Sequence, residues 1–231
     1  MELEVPLTLR QIKAAGELYA HLEQCTAADH ALLKLGERFP GFDADSALLK
    51  VVTINGLYGT HVFAIVRMAQ HVQRVLADPD TAAAGVELVE RLARLPLSRP
   101  DEKPLVFLSF ASKFAHFFVD AKRFPILDRY AEQMVKLHLG PRNIIPDAGS
   151  RYATFVGKLN RLRELAPWSG SNRELDRYLW LAGGYRAWCG KAKTPINAEL
   201  QRLFANPPPG ARAELGALLP AILDQAFKGQ L

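Results

Sequence analysis

Apolar residues recur along this chain at intervals of three and four, the spacing that places side chains on one face of an α-helix. The pattern is clear from Leu7 to Gln24, and it returns after an N-cap signal at Asp43 to Ser46. No stretch has the alternation that is typical of a half-buried strand. The sequence therefore predicts an all-α protein.

Turn signals divide the rest of the chain into further helices. Pro125 disfavours helical geometry at Phe124, so we expect a turn there and a new helix from about Asp128, which Gly140 ends. The other predicted helices cover Val86 to Leu95, Pro104 to Val119, Arg151 to Leu165, Glu174 to Trp188 and Glu214 to Phe227.

These helices are expected to form a single compact all-α unit over residues 1–231. Two lobes are predicted within it, over residues 43–100 and 101–200, followed by a C-terminal helix over 211–229. The first lobe begins with a helix, a tight turn at Asn55 to Gly59, and a second helix that Thr60 caps.

Composition narrows the class of partner and compartment. The net charge is +5; residues 1–100 carry 10 basic and 12 acidic side chains, and residues 101–231 carry 19 and 12. A basic surplus of this kind favours a polyanion such as nucleic acid, although a solvated helical surface would also account for it. Two cysteines, no secretory signal and no long apolar run indicate a cytoplasmic protein without a membrane partner.

Familiar catalytic signatures are missing from the sequence. Zinc-ligand spacings, a phosphate-binding loop, a GxSxG elbow and the zinc-deaminase signature are all absent. We therefore expect neither a metal nor another cofactor.

Lys113 is the least expected residue, because it lies between apolar residues with His116 one helical turn later. A buried lysine is a candidate nucleophile that forms a Schiff base. The alternative is an apolar stem that packs on its neighbours while the charge reaches solvent.

Asp128 follows the Pro125 turn at an expected helix start. It could cap that helix, or it could stay ionised and stabilise a developing cation. Further along, Arg151, Lys158 and Arg161 can share a face that tracks phosphates. Trp168 and Trp180 could stack on a base, although aromatic residues at helical spacing are more often core.

The order of these features, from Leu48 to Tyr130, resembles the helix-hairpin-helix DNA glycosylase superfamily. The resemblance implies two helical lobes around a DNA-binding cleft. It assigns Asn55 and Tyr58 to a wedge that enters the duplex, Lys113 to Schiff-base chemistry, and Asp128 to the catalytic carboxylate. The family's glycine-rich hairpin is replaced by Leu105 to Ser109, where Ser109 and Ser112 would have to supply the donors.

This resemblance also implies the remaining roles and the substrate. The partner would be double-stranded DNA that carries a modified base, such as the glucosylated cytosine attacked by small anti-phage glycosylases. The base pocket would include Phe110, His116, Trp168 and Trp180, and the phosphates would meet Arg129, Arg151, Lys158 and Arg161. Two alternatives remain: a non-enzymatic helical DNA- or RNA-binding module, and a helical interaction protein such as a phage-defence subunit. No protein partner is inferred.

Overall fold

The computed structural model describes residues 2–80, 85–97, 103–143, 146–190 and 196–218. These residues form eleven α-helices and one pair of short strands, which confirms the predicted all-α class. The helices are α1 Leu9–Ala20, α2 Glu23–Arg38, α3 Ala44–Tyr58, α4 Ile65–Ala77, α5 Glu87–Ala93, α6 Leu108–Phe118, α7 Arg129–Leu139, α8 Arg151–Leu165, α9 Asn172–Cys189, α10 Ala198–Ala205 and α11 Ala211–Leu218. The strands are β1 Arg94–Leu95 and β2 Leu105–Val106.

The chain divides into two compact units. Unit 1 comprises Met1–Ala27, Asp128–Pro146 and Gly157–Leu231, and unit 2 comprises Ala28–Leu127 and Asp147–Val156. The predicted lobe boundary at residue 100 falls inside the range of unit 2.

In unit 1, α9 is the central helix and packs against α1, α7 and α10, while α1 also packs against α11. Close approach of α9 to α7 depends on Gly183, since a Cβ atom there would lie 2.6 Å from the Tyr130 Cβ. The N-terminal segment is fixed to this unit through His138. Its Nδ1–H donates to the Val5 carbonyl at 2.8 Å, and its Nε2 accepts from the Tyr178 hydroxyl at 2.9 Å.

In unit 2, α3 packs against α4 and α6, and α5 packs against α6. The strands β1 and β2 pair antiparallel, with Arg94 opposite Val106 and Leu95 opposite Leu105. The Asp147–Val156 segment is held by Tyr152, whose hydroxyl donates to the Pro125 carbonyl at 2.8 Å. Burial raises the pKa of this hydroxyl far above its ordinary value.

Two of the predicted helix starts, at Asp43 and Asp128, are confirmed. Asp43 caps α3 by accepting from the N–H groups of Asp45 and Ser46. Asp128 caps α7, and the predicted bounds of the helix Arg151–Leu165 agree with the structure.

The predicted turn at Asn55 to Gly59 is wrong, because α3 continues through Gly56 and ends at Tyr58. The reversal comes at Gly59, which has the left-handed φ of 54° that glycine tolerates best. Thr60 does not cap the next helix either. Its hydroxyl donates to the Asn55 Oδ1, and α4 begins only at Ile65.

Other helix ends differ from the predicted ones, because strand pairing or a turn replaces helix at those positions. The helix predicted from Pro104 begins at Leu108, since Leu105 and Val106 pair as β2. The pattern from Leu7 to Gln24 is shared between α1 and α2, and α10 was not predicted at all. The last helix begins at Ala211, and its predicted course beyond Leu218 lies outside the described residues.

Candidate functional site

Lys113 is a buried lysine with polar partners, rather than an apolar stem with its charge in solvent. The residue is 6% exposed on α6. Its Nζ donates to the Ser109 Oγ, one helical turn earlier, at 2.8 Å, and lies 5.7 Å from the centre of the Tyr58 ring. A buried ionisable group with specific polar partners is a candidate for function.

The same tyrosine joins Lys113 to a buried carboxylate. The Tyr58 hydroxyl donates to Asp29 Oδ1 at 2.9 Å, and Asp29 is 6% exposed on α2. Helices α2, α3 and α6 of unit 2 therefore bring together Asp29, Tyr58, Ser109 and Lys113, which we name the Lys113 cluster. Asp29 was missed by sequence reasoning, because an isolated aspartate in a polar helix gives no signal of its own.

Both serines that were expected to supply phosphate donors have internal partners. Ser109 accepts from Lys113, as described above. Ser112 is fully buried, and its Oγ accepts from the Leu127 N–H at 3.0 Å. Ser112 therefore fixes the segment that precedes Asp128 and offers no donor at the surface, which corrects its expected role.

Asp128 has the extended backbone of an N-cap residue, and its Oδ1 accepts from the Ala131 N–H at 2.8 Å. The capping alternative is therefore confirmed, and a catalytic role remains a prediction. Asp128 belongs to unit 1 and Lys113 to unit 2. The neighbouring Arg129 is exposed; its guanidinium lies 4.8 Å from the Tyr130 ring centre and donates to the Tyr130 hydroxyl.

The loop between α3 and α4 presents one aromatic side chain to solvent. The Asn55 amide donates to the Val62 carbonyl at 3.1 Å and accepts from the Val62 N–H at 2.8 Å. Val62 is buried and His61 has a φ of 56°, whereas Phe63 is 90% exposed. Asn55 thus fixes the loop that carries Phe63, and Tyr58 contacts Asp29, so the wedge role of both residues stays a prediction.

The predicted second helix, capped by Thr60, would include Phe63. The structure differs since α4 starts after Phe63. The signal that could have found it was an apolar residue four positions after the glycine of a turn, Gly59.

The residues predicted for a base pocket make contacts of the kind found in a protein core. In unit 2, Phe110 is fully buried against Phe114 at 5.7 Å between ring centres, and His116 Nδ1–H donates to the Phe124 carbonyl at 2.8 Å. In unit 1, Trp168 and Trp180 are half-buried; their rings meet the Arg163 guanidinium and the Tyr19 ring respectively. Their role in binding a base remains a prediction.

The predicted phosphate contacts on α8 differ in their surroundings. Arg151 is exposed and Lys158 is half-buried. Arg161 forms an ion pair with Glu164 at 2.8 Å, which competes with an external anion for its guanidinium. Arg151 lies in unit 2, and the other two lie in unit 1.

A second buried lysine, Lys50 on α3, was also missed. It is 1% exposed, its Nζ donates to the Gly41 carbonyl at 2.7 Å, and the ring centres of Phe42 and Phe118 lie 4.1 and 5.3 Å away. Burial lowers the pKa of this ammonium, and the charge of Asp43 partly opposes that effect. Position 50 shares the buried face of Ala47 and Ile54, and that periodicity was a usable signal.

Within the ranges that the structure describes, no three His, Cys, Asp or Glu side chains form a set that could hold a metal ion. Over the same residues, no helix combines the length and apolar character that crossing a membrane requires.

Comparison with known proteins finds similarity over part of the chain. A family model named HI_0787_N, described as an N-terminal domain, matches residues 11–122. An uncharacterized protein of Haemophilus influenzae is 29% identical over 136 residues, which cover 56% of this chain and 62% of that protein. No solved structure matches this chain. The family match contains every residue of the Lys113 cluster and ends before Asp128.

Proposed function

We propose that this protein binds double-stranded DNA and excises a modified base by cleaving its N-glycosidic bond. The observation that carries the proposal is the Lys113 cluster, because burying an ammonium and a carboxylate against one tyrosine costs stability that a purely structural helix contact does not require. A site of this kind supports an enzyme over a passive binding module.

Two further features support DNA as the partner. Residues 101–231 carry seven more basic than acidic side chains, 19 against 12, which favours a polyanion. Phe63 stands exposed on a loop fixed by Asn55, and apolar side chains of this kind enter base steps and unstack them. A base must leave the stack before its glycosidic bond can be cleaved.

In the proposed reaction, the carboxylate of Asp128 stabilises the positive charge that develops on the sugar as the bond breaks. The glycosidic C–N bond breaks with its electron pair on the departing base. Attack by water then leaves an abasic site, whereas attack by the Lys113 amine would give a covalent imine.

The test incubates the protein with duplexes that each contain one modified base, including glucosylated hydroxymethylcytosine, and measures abasic sites by alkaline strand cleavage. Asp128→Asn should lower release at least about 100-fold, the cost of removing one preorganised electrostatic contact, and leave DNA affinity unchanged. Asp43→Asn is the matched control, since Asp43 has the same capping role on α3 and asparagine caps equally well. Equal release by the two variants would remove Asp128 from the reaction.

The main alternative is a non-enzymatic DNA-binding module. The exposed Phe63 favours it, because this side chain can stack on a base without any catalytic step. Phe63→Ala should weaken binding to duplex DNA about tenfold, the loss expected for one stacking contact. Leu33→Ala, which truncates another exposed apolar residue of unit 2, should leave affinity unchanged. Affinity that depends on Phe63 without release of any tested base would favour this alternative.

A further inference from the structure

We infer that Asp29 and Tyr58 belong to the site of Lys113 and hold its ammonium as a fixed cation, so that water rather than the lysine amine attacks the sugar. Asp29 is then the positioning residue of the site. The inference rests on the proposed function for the identity of the substrate, while the arrangement itself is a property of unit 2.

Three contacts favour the charged form of Lys113. The Ser109 oxygen accepts from Nζ at 2.8 Å, the face of the Tyr58 ring lies 5.7 Å away, and Asp29 places a buried carboxylate on the hydroxyl of that ring at 2.9 Å. A hydroxyl acceptor, an aromatic face and a nearby negative charge each interact more favourably with an ammonium than with a neutral amine. Burial favours the neutral amine instead, so the protonation state of Lys113 depends on whether these contacts outweigh the cost of burying the charge.

Other charged groups on the surrounding helices do not replace Asp29. Helices α3 and α5 pack against α6. On α3, the Lys50 ammonium donates to the Gly41 carbonyl; on α5, Glu90 accepts from the Tyr152 N–H at 3.0 Å. Among the described residues of unit 2, Asp29 is the buried carboxylate. On α6 itself, the buried His116 donates to the Phe124 carbonyl. The remaining charged groups of these helices and of α2 are exposed, namely Glu87, Arg91, Asp45, Glu23, His30, Lys34, Glu37 and Arg38.

Protonation of Lys113 decides which nucleophile attacks, because it occupies the nitrogen lone pair. Imine formation needs an unprotonated amine. Its nitrogen bonds to the sugar carbon as the base departs with the glycosidic electron pair, or it adds to the aldehyde of an abasic site and water is then lost. An ammonium has no such pair. In the reaction that remains, the water oxygen bonds to the sugar carbon, the glycosidic bond breaks, and the water's proton ends on the released base, which leaves a sugar with a free hydroxyl.

The experiment measures the pH dependence of Lys113 acetylation by trace acetic anhydride, with mass spectrometry of the Lys113 peptide and no DNA present. Asp29→Asn should move the labelling curve about one pH unit lower, because it removes the negative charge that favours the ammonium. Asp29→Glu should restore the curve toward the wild type. Glu37→Gln, which neutralises an exposed carboxylate on the same helix, should leave it unchanged.

A second variant covers the case in which Asp29→Asn does not fold. Tyr58→Phe keeps the ring and removes the hydroxyl that contacts Asp29, and it should move the curve in the same direction by a smaller amount. Folded variants of Asp29 and Tyr58 with the wild-type curve would overturn the inference.

Borohydride reduction with abasic-site DNA separates the two proposals. We expect no trapped complex above background with the wild type and, with Asp29→Asn, a complex at least about tenfold above that background, because neutralising Asp29 releases the amine. Trapping of wild-type protein through Lys113 would overturn the fixed-cation inference and leave the glycosylase proposal standing. A labelling curve that Asp29→Asn shifts, in a protein that releases no base, would support the fixed-cation inference and overturn the glycosylase proposal.

Discussion

The two units of this protein bury polar side chains in different ways. In unit 1, the neutral His138 is held between a carbonyl and a hydroxyl, and Glu199 accepts from the N–H groups of Gln24 and Cys25 at the start of α2. In unit 2, Lys50, Lys113 and Asp29 are buried. Backbone groups and the Tyr178 hydroxyl account for the first set as structure. In unit 2, by contrast, a buried lysine and a buried carboxylate share one tyrosine, which is the basis of the proposed site.

The two lysines of unit 2 sharpen this comparison. Lys50 meets a carbonyl and two aromatic rings, and Lys113 meets a hydroxyl, one ring and, through that ring, a carboxylate. Burial is common to both, so burial alone does not identify a functional lysine. The two lysines differ in the groups that contact their ammonium.

The largest expected effect concerns His138 and acid. Burial lowers the pKa of His138 from its ordinary 6.5 to about 4, so between these values the unfolded chain binds a proton that the folded chain does not. The contribution of His138 to the free energy of unfolding is therefore fully present above pH 6.5. It is lost as the pH is lowered through this window, by about 3 kcal/mol in total. Urea denaturation from pH 4 to 7 measures this loss.

His138→Gln is the control for that titration, because glutamine can still donate to the Val5 carbonyl and does not titrate. The difference in unfolding free energy between the wild type and this variant should depend on pH only within the window. A constant difference would mean that His138 is not buried as a neutral group.

The next effect compares the two lysines directly. Lys113→Met should lower the free energy of unfolding by about 2 kcal/mol, because it leaves the Asp29 carboxylate buried without its neighbouring cation. Lys50→Met should cost less than about 1 kcal/mol, since the Gly41 it releases is exposed and its carbonyl can be hydrated. Urea titration at pH 7 checks both values.

A double-mutant cycle decides whether Asp29 causes this difference. Asp29→Asn and Lys113→Met should be non-additive by about 1 kcal/mol, whereas Asp29→Asn and Lys50→Met should add within about 0.5 kcal/mol. Additivity in both cycles would show that Lys113 and Asp29 do not interact, and the contrast between the lysines would disappear.

The smallest effect concerns the capping carboxylate of unit 1. Glu199→Gln should destabilise the protein by about 1 kcal/mol, because it removes the negative charge that meets two N–H groups at the start of α2. Glu23→Gln changes an exposed carboxylate in the same helical turn, and thermal denaturation should detect a smaller loss. A larger loss at Glu23 would contradict the capping role of Glu199.

Features that depend on neighbours in sequence were predictable. The caps at Asp43 and Asp128 were predicted because an N-cap interacts with N–H groups two or three residues away. The turn predicted at Asn55 to Gly59 is wrong because α3 continues through Gly56 and ends at Tyr58. Helix propensity at a glycine is a weak signal that the surrounding helix overrides.

By itself, the sequence determined the all-α class, most of the helices and two residues to test, Lys113 and Asp128, because periodicity and capping are local properties. Only the tertiary structure decided that Lys113 is buried against Ser109 and Tyr58, that Tyr58 in turn contacts Asp29, and that Phe63 faces solvent. Asp29 and Lys113 are 84 residues apart in the chain (113 − 29). No local pattern encodes the cluster that joins them through Tyr58, because it forms only when three helices pack.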